Sequence, residues 1–278
     1  MSQAAIRSNR GDDFQREIVL HWSIRLLSDP ELESVESETI ADPITNQAIW
    51  VDDIIIRYKN GRIIYAQCKI DSTDRNGWKL SDRVLREEFI KACNQLEQNA
   101  LAEAIFYSQT PFGELKKLLD ATNPFHSSEE VITHADANIK ELHAIISRII
   151  QRDDSSTFAF YKRLKALSND LDEWARFNDL ELERHFPNSL AARDVIQKLI
   201  SDHSAQRTGS PLKITREILI YRLAERRIYP SPPYEERKMV EEFASASRIG
   251  RQDILREIAG EKLPRPELAQ FFGPITQT

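Results

Sequence analysis

The stretch VDDIIIRYKNGRIIYAQCKI, residues 51–70, decides how the rest of this chain is read. IWVDDIIIRY (49–58) and RIIYAQCKI (62–70) are rich in β-branched and aromatic residues, and Lys59-Asn60-Gly61 separates them. Asn-Gly between two such runs is the strongest short-range signal for a β-hairpin. Strand residues two apart share a face, so Gln67 and Lys69 point the same way and Cys68 points opposite. The hairpin brings Asp52 and Asp53 alongside them. A two-residue Asn60-Gly61 turn pairs position 59 with 62 and sets Asp52 opposite Lys69. A three-residue turn, with Gly61 as the bulge, pairs 58 with 62 and sets Asp53 opposite Gln67. A shift of one residue exchanges the faces completely.

This grouping carries chemistry. A carboxylate beside a second oxygen acceptor is a hard-oxygen site suited to Mg²⁺, with Mn²⁺ as a substitute. Such an ion polarises a phosphodiester and lowers the pKa of a bound water. A lysine beside it orients that water and stabilises the charged transition state. A glutamine and a lysine interrupt the otherwise buried run IIYAQCKI, where desolvation is costly without a partner. Glu17 is a further candidate ligand. It lies three residues after Phe14, at the edge of an amphipathic helix expected over 13–27 from Phe14, Ile18, Trp22 and Leu26.

Outward from the hairpin, residues 28–48 are polar and read as loop with one short strand. Helix is expected at about 80–100 from Leu85, Phe89 and Leu96, and strand at AEAIFYS (102–108). From about 130 the pattern reads as almost wholly helical. Ile139, Leu142, Ile146 and Ile149 make one stripe, and Phe160, Leu164, Leu167, Leu171 and Trp174 another. Further helices are expected over 189–203, 214–227 and 235–259, with YPSPPY (229–234) as a break. The fold class expected is α/β: a central mixed β-sheet flanked by helices, with an α-helical C-terminal extension.

Composition agrees. The chain has 278 residues, 41% hydrophobic and 29% charged, which suits a packed core. Eight glycines argue against a Gly-rich phosphate loop and a many-turned β-sandwich. Formal net charge is −6, from 38 basic and 44 acidic residues, so any nucleic-acid contact has to come from a local patch. Residues 57–91 supply one, with Arg57, Arg62, Arg75, Lys79, Arg83 and Arg86 as phosphate contacts. A solvated helix face with pairs such as Arg83–Glu87 explains the same residues equally well. Two cysteines make no disulfide framework and no zinc site. With no signal-peptide core and no apolar run of membrane-spanning length, the reading is a cytoplasmic protein without membrane association. The six histidines show no metal spacing, and no GxSxG surrounds Ser108.

An acid-bearing helix, then Asp–x(13)–Gln-x-Lys across a hairpin, then helix and strand, resembles the PD-(D/E)XK nuclease superfamily. More narrowly, GDDFQREIVLHW, VDDIIIRY, YAQCKI and IFYSQTPF resemble the DNA endonuclease effector domains of anti-phage systems, the CD-NTase-associated nucleases and the Avs-type antiviral STAND NTPases. The resemblance covers roughly residues 9–115. In that superfamily the metal-binding aspartate directly precedes the hydrophobic run of its strand, which favours Asp53 as the metal ligand with Asp52 as the fallback. Gln67 stands where many members carry Glu, Lys69 matches the catalytic lysine, and Glu17 the helix acid. The resemblance implies a restriction-endonuclease-like sheet and a Mg²⁺-dependent, largely sequence-nonspecific DNA endonuclease acting in anti-phage defence. The alternative is a catalytically inactive DNA-binding or assembly scaffold of the same fold. It further implies double-stranded DNA as partner and a homo-oligomer, dimer or tetramer. The divisions expected are a nuclease core over 1–120, a helical extension over 121–206, and a helical connector, winged-helix-like at most, over 207–278. That connector would lead to an NTPase or sensor, although no GxxxxGK[ST] occurs in these residues.

Overall fold

A computed structural model describes residues 3–37, 48–51, 53–69, 77–204 and 212–230. The chain divides into two compact units, Met1–Tyr229 and Pro230–Thr278, and the description below concerns the first. The helix expected over 235–259, like Asp52 and Arg75, lies outside the described residues.

The first helix, α1, runs Gln3–Ser28. It starts well before the apolar stripe, because Phe14, Ile18, Trp22 and Leu26 mark only its core-facing part. Strand β1 (Leu32–Ser37) follows, then the hairpin strands β2 (Ile54–Tyr58) and β3 (Ile63–Lys69). Helix α2 (Arg83–Gln98) leads into β4 (Ala102–Ser108). Four helices come next: α3 (Gly113–Thr122), α4 (Ser128–His134), α5 (Ala137–Ile150) and α6 (Asp154–Lys162). Strand β5 (Leu164–Ser168) precedes α7 (Leu171–His185) and α8 (Ser189–Ser204). Strand β6 (Leu212–Thr215) runs directly into α9 (Arg216–Glu225).

The strands form one mixed sheet in the order β5-β4-β3-β2-β1-β6. The pairs β1–β2, β2–β3 and β1–β6 are antiparallel, while β3–β4 and β4–β5 are parallel. Helices cover both faces, which is the usual condition for parallel strands. The strand period of two sends alternate residues to two separate cores. Ile54, Ile56, Ile64, Ala66, Ile105 and Tyr107 pack with α1, α7, α8 and α9. Ile55, Tyr65, Ala104 and Phe106 pack with α2 through α6. Among the described residues no helix is long and apolar enough to cross a membrane.

The mixed α/β sheet flanked by helices matches the fold class expected from sequence, with two corrections after residue 130. Leu164 and Leu167 do not continue a helical stripe. They belong to β5, where Leu164 is buried and Leu167 is 41% exposed. The helix before it stops at Lys162, and the next begins only after Asp170. That residue caps α7 with its carboxylate on the Glu173 N–H, while Glu173 returns the bond to the Asp170 N–H. Residues 212–215 likewise form a strand rather than the start of a helix. Thr215 then caps α9, its hydroxyl accepting from the Ile218 N–H.

Candidate metal-binding site at the open end of the hairpin

The turn between β2 and β3 sets the site. The Tyr58 N–H donates to the Arg62 carbonyl and the Gly61 N–H to the Tyr58 carbonyl. Gly61 has φ +84°, the left-handed region that glycine enters without steric cost. The ladder pairs Ile54 with Ala66, Ile55 with Tyr65, Ile56 with Ile64 and Arg57 with Ile63. This is the three-residue-turn register, and it carries Asp53 opposite Gln67 at the far, open end of the hairpin. By strand alternation, Gln67 and Lys69 share the Tyr65 face, which is covered by α2.

Asp53 is held tightly. One carboxylate oxygen accepts from the Gln67 amide nitrogen and from the Cys68 N–H at 2.7 Å, and its backbone carbonyl accepts from the Gln15 amide at 3.2 Å. Lys69 pairs at 3.1 Å with Glu88 of α2, and Lys91 pairs with the same Glu88 oxygen at 3.2 Å. Gln67 is 3% exposed and Glu88 5%. Gln67 Oε1 and Glu88 Oε2 have no hydrogen-bond partner among the described residues. Buried polar atoms are nearly always satisfied, and each exception calls for a cause. The Asp53 carboxylate and the unpartnered Gln67 amide oxygen, on residues bonded to each other, are oxygen donors of the kind a hard divalent cation takes. Among the described residues no group of three or more His, Cys, Asp or Glu is placed to hold a metal.

Glu88 is the residue that sequence reading missed. Its signal was available, because it interrupts the buried face of α2 formed by Leu85, Phe89, Ala92 and Cys93. A carboxylate on such a face needs a partner, just as Gln67 and Lys69 do in β3.

Glu17 goes elsewhere. It lies on α1, on the opposite face of the sheet from Gln67, and is 7% exposed. Its carboxylate pairs with Arg193 of α8, accepts from Asn178 of α7 at 2.9 Å and accepts from Gln197 of α8 at 3.1 Å. Its acid is therefore spent on joining three helices.

The basic residues are also dispersed. Arg57 is buried and bonded at 3.0 Å to Glu36 of β1. Arg62 lies at the turn end of the hairpin, paired with Glu103 at 2.7 Å and set 4.9 Å over the Tyr58 ring. Arg83 is exposed and bonded to Glu87 at 2.8 Å, the (i, i+4) pair of a solvated face. Lys79 and Arg86 are exposed. Trp78 is buried, its indole N–H donating to Ser108 Oγ at 2.8 Å, so it anchors its loop to the end of β4. Burial and the neighbouring Asp53 carboxylate push the Cys68 thiol well above its ordinary pKa, which keeps it protonated and poorly nucleophilic.

No family model matches this sequence, and no curated protein does. Its shape is similar to that of Cap4 SAVED/CARF-domain containing receptors. One from Acinetobacter baumannii is 12% identical, with TM-score 0.48, covering 78% of this chain and 48% of that one. The same receptor with the cyclic trinucleotide 2′3′3′-cAAA is 12% identical, TM-score 0.46, over 77% and 45%. The Moraxella osloensis receptor is 14% identical, TM-score 0.45, over 77% and 48%. This chain thus spans less than half the length of those receptors, and the likeness at this level assigns no activity to it. None of these structures is described as a nuclease. The superfamily resemblance read from the sequence, and the DNA endonuclease of anti-phage defence or inactive DNA-binding scaffold drawn from it, are corrected accordingly. The motif behind that reading is short. One of its acids, Glu17, is committed to helix packing, and two of the basic side chains expected on phosphates, Arg57 and Arg62, are engaged with carboxylates of the sheet.

Proposed function

We propose that the open end of the hairpin is a divalent-cation-dependent site for phosphodiester hydrolysis. The observation that supports this reading is the placement of Asp53 opposite Gln67, with Lys69 two residues further along the same face of β3. Asp53 and the Gln67 amide oxygen are the residues that would hold Mg²⁺ or Mn²⁺. When bound, such an ion supplies charge for a phosphate oxygen and acidifies a coordinated water. Lys69, paired with Glu88 and 26% exposed at its side chain, supplies the ammonium that meets an anionic phosphate. Its role is to neutralise charge developing on that phosphate and to orient the attacking water.

The test uses an activated phosphodiester, bis(p-nitrophenyl) phosphate, and an unactivated one, a cyclic trinucleotide, each with Mg²⁺ or Mn²⁺. Turnover is expected with the cation and not with chelator. Lys69→Ala and Asp53→Asn should each lower it by about 100-fold or more. Cation-dependent turnover that survives both substitutions, or none of either probe by the wild type, would overturn the reading.

A further inference from the structure

Glu88 is a buried acid of α2 that meets Lys69 of β3. Three observations converge on it. It is nearly fully buried on a helix face that is otherwise apolar except for Gln95. One of its oxygens carries two ammonium groups, Lys69 at 3.1 Å and Lys91 at 3.2 Å. Its other oxygen is buried without a partner, as is the amide oxygen of Gln67, which shares a face of β3 with Lys69. An ion pair alone accounts for the first oxygen and leaves the second unexplained, at the cost that an unsatisfied buried carboxylate oxygen carries.

We propose that Glu88 is the second carboxylate of the cation site, and that its ion pairs with Lys69 and Lys91 are the arrangement it holds when no cation is bound. This rests on the reading of Asp53 and Gln67 given above. On cation binding Glu88 exchanges ammonium for metal. Lys69 is thereby released from its carboxylate and becomes available to a phosphate. Charge balances in the exchange: the two lysines bring two positive charges to Glu88, which a divalent ion matches. The lysines therefore compete with the cation, and Lys91, 47% exposed at its side chain, is the competitor that can be removed without disturbing the sheet.

Mn²⁺ binding, read by electron paramagnetic resonance of the free ion, tests this without reference to turnover. It is measured on the full chain as wild type, Asp53→Asn, Glu88→Gln and Lys91→Ala, with circular dichroism confirming folding of each. Glu88→Gln should weaken binding by about tenfold or more, and Lys91→Ala should tighten it by about two- to fivefold. A merely structural role for Lys91 would not tighten binding. If Asp53→Asn weakens Mn²⁺ binding but Glu88→Gln stays within about twofold of wild type, the Glu88 assignment fails while the Asp53–Gln67 site stands. If the wild type binds no Mn²⁺ at millimolar concentration, both fail. Should Glu88→Gln not fold, an unchanged affinity in Lys91→Ala overturns the proposal by itself.

Discussion

Glu17 and Glu88 show how one residue type acquires opposite roles from its surroundings. Both are glutamates on helices, and both are nearly excluded from water. Glu17 has its two oxygens covered by a guanidinium and two amides from α7 and α8, so its charge is fully compensated. Removing one partner of a buried ion pair strands the other charge and typically costs about 3–5 kcal/mol. Glu17→Ala is therefore expected to destabilise the fold by about that amount in chemical denaturation, while the protein that remains folded binds Mn²⁺ as the wild type does. Loss of Mn²⁺ binding by folded Glu17→Ala would instead return this acid to the candidate site. Sequence position could not separate the two acids. Glu17 stands at the edge of an apolar stripe, and which sheet face that edge borders is a matter of tertiary packing.

At the level of elements, the hairpin turn governs the site. Gly61 alone makes the three-residue turn possible at low cost, and that turn sets Asp53 rather than its neighbour opposite Gln67. A Cβ built on Gly61 meets only Leu101 Cδ1 at 3.9 Å, an ordinary contact, so the penalty of Gly61→Ala is conformational. It is expected at about 1 kcal/mol, the cost of left-handed backbone for a residue with a side chain, seen as a lower denaturation midpoint with an unchanged slope. A drop several times larger would mean that the turn had changed register. The hairpin was legible from sequence because Lys59-Asn60-Gly61 is local chemistry. The two short strands after residue 130 were not. Leu164 and Ala166 alternate correctly for β5, but five residues of alternation lie within a spacing that also fits a helix. What reveals them is their capping, Asp170 with Glu173 after one strand and Thr215 after the other.

For the molecule as a whole, β5 and β6 place the C-terminal half at both edges of the sheet, and α7 to α9 close the face opposite the site. Trp174, Leu182, Phe186, Ile196, Leu219 and Leu223 bury themselves against α1 and the sheet. Each such side chain contributes about 1.5–3 kcal/mol by leaving water, and their loss together rivals the whole stability of an ordinary domain, about 5–15 kcal/mol. A fragment ending at Arg163 is accordingly expected to show no cooperative unfolding transition, while one ending at Tyr229 unfolds cooperatively. Cooperative unfolding of the shorter fragment would mean that the first six helices and four strands hold a core of their own.

The sequence by itself determined the α/β class, the hairpin, and the convergence of an acid, an amide and a lysine at one end of it. These depend on period, turn chemistry and polar interruptions of apolar runs, all of which act over a few residues. Only the tertiary structure decided which distant groups meet these side chains. It brought Glu88 of α2 to Lys69, 19 positions away, and drew Glu17 to Arg193, 176 positions away, and neither pairing leaves a local trace in the chain. Charge partners are chosen by proximity in the folded state, and burial, by removing water, makes that choice compulsory.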